Sequence, residues 1–425
     1  MRHRYENVLN GAALSVPAAA VAGLSKNPNI SRIEIDGIAK ASETQPSPPS
    51  WGLDLIDQRN LPLSSSYTYP FSGSGVSAYV VDTGIRPSHV EFQTRVLPGF
   101  SSIADGNGSN DCNGHGTHVA GTIGGSSTGV AKSVSLIPVR VLDCTGSGSW
   151  SGIIAGLDWV AAHHAAGVPA AANMSLGGGA SSTVDQAVAN LTADGVLVVV
   201  AAGNSNADAC GYSPARAASA LTVGATTSTD ARASYSNFGA CLDLFAPGSS
   251  ISSAYHTSDT AYSSLSGTSM ASPHVAGSAA VVLSQTPSLT PAEVSSKILS
   301  ASSSNLVSSA GTNSPNRLLF QDPQSTVVAP SFPTAPSNVL ASAGKRSAKV
   351  SWTKGQDGGS PLTSQVINVY SKGVKITSLQ VSASAVSATI SNLTAGVAYR
   401  FSVSAVNSVG SSPESNLSNE VIPRR

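Results

Sequence analysis

Charge is what this sequence has least of. Only 11% of its 425 residues are Asp, Glu, Lys or Arg, against roughly 25% in ordinary globular chains. The 23 basic residues cancel the 23 acidic ones, and no Lys/Arg cluster stands out, which argues against nucleic acid as the main partner. No uninterrupted apolar run reaches about 18 residues, so no transmembrane helix is expected. Residues 1–5 (MRHRY) are not followed by an apolar stretch, so no signal peptide is expected in this sequence. Low net charge with 41% apolar residues excludes a disordered polyelectrolyte, and the length fits two or three domains.

Cysteine is also scarce. There are four: Cys112, Cys144, Cys210 and Cys241. An even count in a Ser/Gly/Pro-rich chain suggests disulfides and an oxidising compartment, with three connectivities open. Cys112-x-x-His115 also admits a zinc reading, but zinc wants about four ligands, and no second C-x-x-C or C-x-x-H pair exists.

What is present is ordered in zones. Residues 5–38 read as strand, short helix and strand, and 41–50 as an exposed Pro/Ser-rich linker or cleavage region. In the middle zone, 76–81, 136–142, 171–176 and 196–202 are short apolar runs, read as strands buried on both faces. Helical patterns at 152–167 and 182–195 lie between them, each closing on a Gly stop signal. The expected fold is α/β, a mostly parallel central sheet flanked by helices, with ligands at the carboxyl ends of its strands. After a second Pro-rich linker, the segments AKVSWT, QVINVYS, AVSATIS and YRFSVSAV alternate with period two, as in an all-β immunoglobulin-like sandwich. The expected domains are 1–43, 44–322, a linker at 323–333, and 334–425.

Three segments carry chemistry: Val80-Val81-Asp82-Thr83-Gly84, Asn113-Gly114-His115-Gly116-Thr117-His118, and Gly267-Thr268-Ser269-Met270-Ala271-Ser272-Pro273-His274. A serine hydroxyl is a weak nucleophile unless a base takes its proton, and the base needs an orienting carboxylate. Asp, His and Ser at element ends of one α/β domain supply those roles. Taken singly, each is more simply a turn residue, a structural His or an N-cap; the length of the three contexts together is what is specific. His118 competes with His115 as base. His115 and His118 could also form a metal pair, but a zincin's H-E-x-x-H is absent. An esterase shares the triad chemistry but lacks its usual G-x-S-x-G here.

DTGI, NGHGTHVAGT and GTSMASPHVAG resemble the three signatures of subtilisin-type serine proteases. WGLDLIDQ, VLDCTGSGS, NMSLGGG and AAGN place the resemblance near the proteinase K branch, close to aqualysin-type secreted bacterial enzymes. The resemblance implies Ser269 as nucleophile, His115 as base, Asp82 as its orienter and Asn204 as oxyanion-hole donor with the Ser269 N–H. Activity is then expected to fall below roughly pH 6–7. Gly146, Ser147 and Gly148, with Ser175, Leu176, Gly177, Ala202 and Gly203, would line the groove for an extended peptide. No acidic residue lies in these segments, so the residue before the scissile bond is expected to be apolar or aromatic, with broad tolerance. Trp150 would line a remote apolar subsite or anchor a helix start in the core. The resemblance further implies structural calcium held by Asp54, Asp57, Gln58, Ser64 and Ser66, and a second site of Asp243 with the carbonyls of Ala218 and Ala220. It also implies the pairings Cys112–Cys144 and Cys210–Cys241.

Residues 5–38 resemble part of an inhibitor-type propeptide without its first strand, cleaved within about 39–46. Residues 334–423 resemble a fibronectin type III domain, with Trp352 in its core and Tyr399 at its tyrosine corner. The expected protein is a secreted monomeric endopeptidase acting on polypeptides and inhibited by its own propeptide. The competing expectation is a surface- or polymer-binding protein in which the last domain dominates.

Overall fold

The computed structural model describes residues 3–6, 10–16, 18–24, 27, 29, 30, 33, 43–323, 332–358 and 360–425. The chain divides into two compact units: Lys40–Thr326, and a second made of Met1–Ala39 with Val327–Arg425.

The larger unit is built on a nine-stranded sheet. From one edge its strands run Ser303–Ser304, Arg317–Leu318, Leu244–Pro247, Leu221–Thr226, Leu197–Ala201, Ala170–Met174, Ser77–Asp82, Ser135–Arg140 and Phe100–Ser101. All neighbours are parallel except the first pair. The four expected strands form its centre. Their side chains alternate between two cores, because successive residues of a strand face opposite sides. Val80 and Val199 pack with helices His115–Gly124 and Thr268–Gln285. Tyr79, Val81, Val198 and Val200 pack with helices Trp150–His163 and Ser182–Ala193. The sheet is therefore covered on both faces, which is why these strands are continuous apolar runs rather than alternating ones.

Helix ends show where local signals compete. The second expected helix stops at Ala193, and Gly195 follows at φ 105. The first stops at His163, short of the expected Gly167. Here His164 ends the helix: its ring nitrogens bond Asp194 Oδ2 and the Val168 carbonyl, each at 2.8 Å.

The segment read as an exposed linker is partly structured. Glu43–Pro46 pairs antiparallel with Ser66–Tyr69, and Ser50 is buried as the N-cap of the helix Trp51–Ile56. At the other end, Gln321 donates its N–H to the Ile56 carbonyl and its amide to the Tyr67 hydroxyl.

In the second unit, residues 337–421 form a sandwich of two three-stranded sheets. The four expected strands are joined by Ser337–Gly344 and Val374–Ser382. Trp352 is buried and donates its indole N–H to Gln365 at 2.7 Å. The Tyr399 hydroxyl accepts the Thr394 N–H at 3.1 Å, closing the corner. Near the start of the chain, His3–Tyr5 pairs with Gly11–Ala13, and a helix spans Ala18–Leu24. The second strand expected in residues 5–38, at 30–36, lies outside the described residues except for Ile30 and Ile33, neither of which is in a strand.

Candidate active site

Asp82 is the last residue of a central strand and is fully buried. Its Oδ1 meets His115 Nδ1 at 2.8 Å and also accepts the Thr83 N–H at 2.8 Å. His115 opens the helix His115–Gly124, whose N-cap is Gly114 at φ 108. A Cβ at Gly114 would come within 2.5 Å of the Tyr255 ring and of His256 Nδ1, so glycine is required twice over there. Burial pulls the His115 pKa down, but the charge and hydrogen bond of Asp82, with a further charge on Asp111, raise it above the usual imidazole value.

His118, the alternative base, is fully buried one turn further on. Its Nε2 is engaged by the carbonyls of Ile251 and Ser263 at 2.9 and 3.2 Å, and burial lowers its pKa to about 4. Buried and held there, it is not placed to serve as a base in the cleft. Cys112 is tied in a disulfide, which removes the zinc reading.

Ser269 sits in the first turn of an 18-residue helix whose N-cap, Gly267, makes no side-chain cap. The local N–H groups and the helix dipole favour negative charge at that point. The Ser269 hydroxyl donates to the Ser175 backbone carbonyl at 3.2 Å. The Ser269 carbonyl accepts in turn from the Ser175 hydroxyl at 2.8 Å. That carbonyl is free because Pro273, four residues on, has no N–H to offer it. The Ser175 oxygen also receives Asn173 Nδ2 and Ser272 Oγ at 2.8 and 2.9 Å. The Ser175 side chain and Pro273 thus hold the turn that carries Ser269, a role not expected from the sequence. A proline inside an apparent helix was the one signal that could have pointed to it.

Asn204 is exposed beside this helix start. Its Oδ1 accepts both the N–H and the hydroxyl of Thr268 at 2.8 and 2.9 Å. With its oxygen so occupied, the amide has only its N–H donors left to offer a ligand. Gly203 N–H bonds Thr268 Oγ1 at 3.1 Å, while Ala202 is buried and bonded to Val223 and Asn237.

A cleft of about 750 Å³ brings together His115, Gly146, Ser147, Gly148, Ser175, Leu176 and Gly177. Its apolar lining residues are Leu142, Trp150, Ile153 and Leu176, and Ala202, Gly203, Asn204 and Ser269 are not part of its lining, Ser269 reaching it through its bond to Ser175. Trp150 lines the cleft beside Gly178 and also packs on the core beneath, at the start of its helix. One wall is fastened by the Cys112–Cys144 disulfide; Cys210–Cys241 is the second.

The residues read as cation ligands also converge. Asp54 Oδ1 accepts the N–H and hydroxyl of Ser64 at 2.9 Å each, Gln58 Oε1 accepts the Ser64 N–H at 3.1 Å, and the Ser64 and Ser66 hydroxyls are 2.8 Å apart. Asp57 Oδ2 takes the Thr68 N–H, but Asp57 Oδ1 is buried with no partner. Burial, with the Asp54 charge, raises the Asp57 pKa to about 6. A buried carboxylate oxygen without a partner, with a second carboxylate, Asp54, close enough to act on it, fits a hard cation. At the second place, burial raises the Asp243 pKa although its Oδ2 accepts the Thr222 N–H at 2.8 Å. Ala218 and Ala220 lie in the turn leading into that strand.

The subtilase family's sequence profile matches residues 73–325, spanning all three motifs. The chain belongs to the subtilase family. A fibronectin type III profile matches residues 334–421 of this subtilase. The chain is 58% identical over 316 residues to an extracellular serine proteinase of Thermus sp. (strain Rt41A), covering 74% of this chain and 76% of that one. It is 50% identical to alkaline serine exoprotease A of Vibrio alginolyticus, over 74% of this chain and 59% of that longer one. Among solved structures, a cold adapted subtilisin-like serine proteinase matches with a TM-score of 0.62 at 54% identity, over 64% of this chain and 97% of that one. The subtilase is a serine endopeptidase of the subtilisin family, and these relatives give no support to the reading in which binding dominates.

Proposed function

We propose that this subtilase cleaves exposed polypeptide chains through an acyl-enzyme on Ser269. The observation that carries the reading is the 2.8 Å contact between buried Asp82 and His115, in a cleft shared with the Ser175 carbonyl that holds the Ser269 hydroxyl. To react, that hydroxyl turns from Ser175 toward His115. Ser269 Oγ bonds to the scissile carbonyl carbon as its proton passes to His115 Nε2. Asp82 holds the tautomer and stabilises the imidazolium. The oxyanion is met by the Asn204 amide and the Ser269 N–H. His115 returns the proton to the leaving amine; water then attacks the acyl-enzyme by the reverse sequence.

The apolar residues lining the cleft and the absence of any carboxylate from its lining support a broad preference for apolar or aromatic side chains before the scissile bond. The Asp57 cluster and Asp243 would hold structural calcium, which would neutralise their buried carboxylates. Secretion is supported by the extracellular character of the Thermus relative and by two disulfides. Among the described residues no helix is long and apolar enough to cross a membrane.

We read the leading segment as an inhibitory propeptide and the enzyme as a monomer. The mature catalytic domain would run to residue 322, the linker 323–333 following and the fibronectin type III domain occupying 334–425. The strand pairing of Glu43 with Tyr69 supports cleavage N-terminal to Glu43, one residue earlier than the 43/44 boundary expected from sequence. The test is labelling with a sulfonyl fluoride and peptide mapping. One adduct on the Ser269 peptide is expected; labelling elsewhere with activity lost would contradict the assignment.

A further inference from the structure

Asp111 lies four residues before His115, outside the triad, and accepts five hydrogen bonds. Its Oδ1 takes the Thr83 hydroxyl and the N–H groups of Asn113 and Gly114, each at 2.9 Å. Its Oδ2 takes the N–H and hydroxyl of Thr117 at 2.9 and 2.6 Å. The partners come from both halves of the Asp–His pair. Thr83 directly follows Asp82, and its oxygen also accepts the Gly116 N–H at 2.8 Å. Thr117 Oγ1 accepts the Arg86 N–H at 3.1 Å, from the same segment beyond Asp82. Asp111 therefore caps the helix that begins with His115 and cross-links it to the end of the strand that carries Asp82. Five donors more than fill the about four lone-pair sites of a carboxylate, so some of them share a site.

Resting on the triad reading above, we infer that Asp111 is a positioning residue of the catalytic machinery, which locks the strand end of Asp82 and the helix start of His115 into one unit. Its negative charge adds a second effect, since it favours the protonated imidazole alongside Asp82. The charged and titratable groups facing His115 are Asp82 from the strand, Asp111 from the preceding loop, His118 one turn along the helix, and His256, packed on Gly114.

The test is the pH profile of kcat and kcat/KM for full-length Asp111→Asn, Asp111→Glu, Thr83→Val and Thr117→Val, with His115→Ala alongside. Asp111→Asn removes the charge and one acceptor site. We expect kcat about 10-fold lower with KM nearly unchanged, and an acid limb moved to lower pH by about 0.3–0.5 unit. Asp111→Glu should restore the limb. Thr83→Val and Thr117→Val should lower kcat several-fold without moving it, because the charge remains. Wild-type kcat and limb in Asp111→Asn, or a lower kcat with an unmoved limb that Glu does not change, would overturn the inference. If Asp111→Asn does not fold, the two Thr variants decide: a kcat loss at constant KM supports it, and no loss overturns it. His115→Ala separates the levels, since an active His115→Ala defeats the triad reading itself, whereas an inactive one with wild-type Asp111→Asn defeats only this inference.

Discussion

Three histidines of one domain are tuned in opposite directions by their neighbours. His115 keeps a carboxylate partner and is raised above its ordinary value of about 6.5. The reaction needs the neutral ring, so the acid limb of kcat/KM is predicted to lie above pH 6.5; a limb well below it would mean that Asp82 does not act on the ring. His118 and His274 are buried against backbone carbonyls, and burial lowers both to about 4. A histidine depressed in the folded state contributes full stability above its unfolded value, and that contribution is lost as pH falls from about 6.5 to 4. Each is then worth about 3 kcal/mol. Denaturant melts between pH 7 and 4 should show this loss, and His274→Asn should flatten part of it. The proposed triad residues are legible in the sequence because each motif is contiguous. Their supports are not: Asp111 reaches Thr83, Thr268 reaches Asn204 and the Ser175 hydroxyl reaches the Ser269 carbonyl across the chain, and apart from Pro273 inside its helix no local pattern marks such bonds.

Elements were legible where one physical signal dominated. The four central strands stood out because both faces are buried. Leu221–Thr226 and Leu244–Pro247 belong to the same sheet but did not stand out, since Thr222, Gly224 and Pro247 interrupt their apolar character. Val374–Ser382 was hidden for the opposite reason: it is an edge strand exposed almost throughout, so no buried face imposes alternation. The helix Trp51–Ile56 and the strand Ser66–Tyr69 enclose the Asp57 cluster, and the strand also pairs with Glu43–Pro46. Cation removal is therefore predicted to loosen these elements together. Saturating calcium at about 100 times its Kd contributes about 2.7 kcal/mol, or roughly 5–10 °C in melting temperature. Chelation should remove that increment in the wild type and have a smaller effect in Asp57→Asn, where only the Asp243 site is left to respond. An equal effect of chelation on the two would exclude this site as the one that binds.

At the scale of the whole molecule, every residue of the proposed site lies within Lys40–Thr326, and the fibronectin type III domain has its own core around Trp352, Ile367, Phe401 and Val403. Deleting 334–425 is predicted to leave kcat/KM on a small peptide within about two-fold, measured after N-terminal sequencing has established the mature chain. A loss of 100-fold would mean that the domain takes part in catalysis. The subtilase assignment makes Ser269 the point on which the account rests. The most direct measurement is hydrolysis of a peptide p-nitroanilide with Phe before the scissile bond, with calcium present, comparing wild type and Ser269→Ala. Turnover by the wild type and a fall of at least about 10⁴-fold in the variant are expected; comparable turnover by both would contradict Ser269 as the nucleophile.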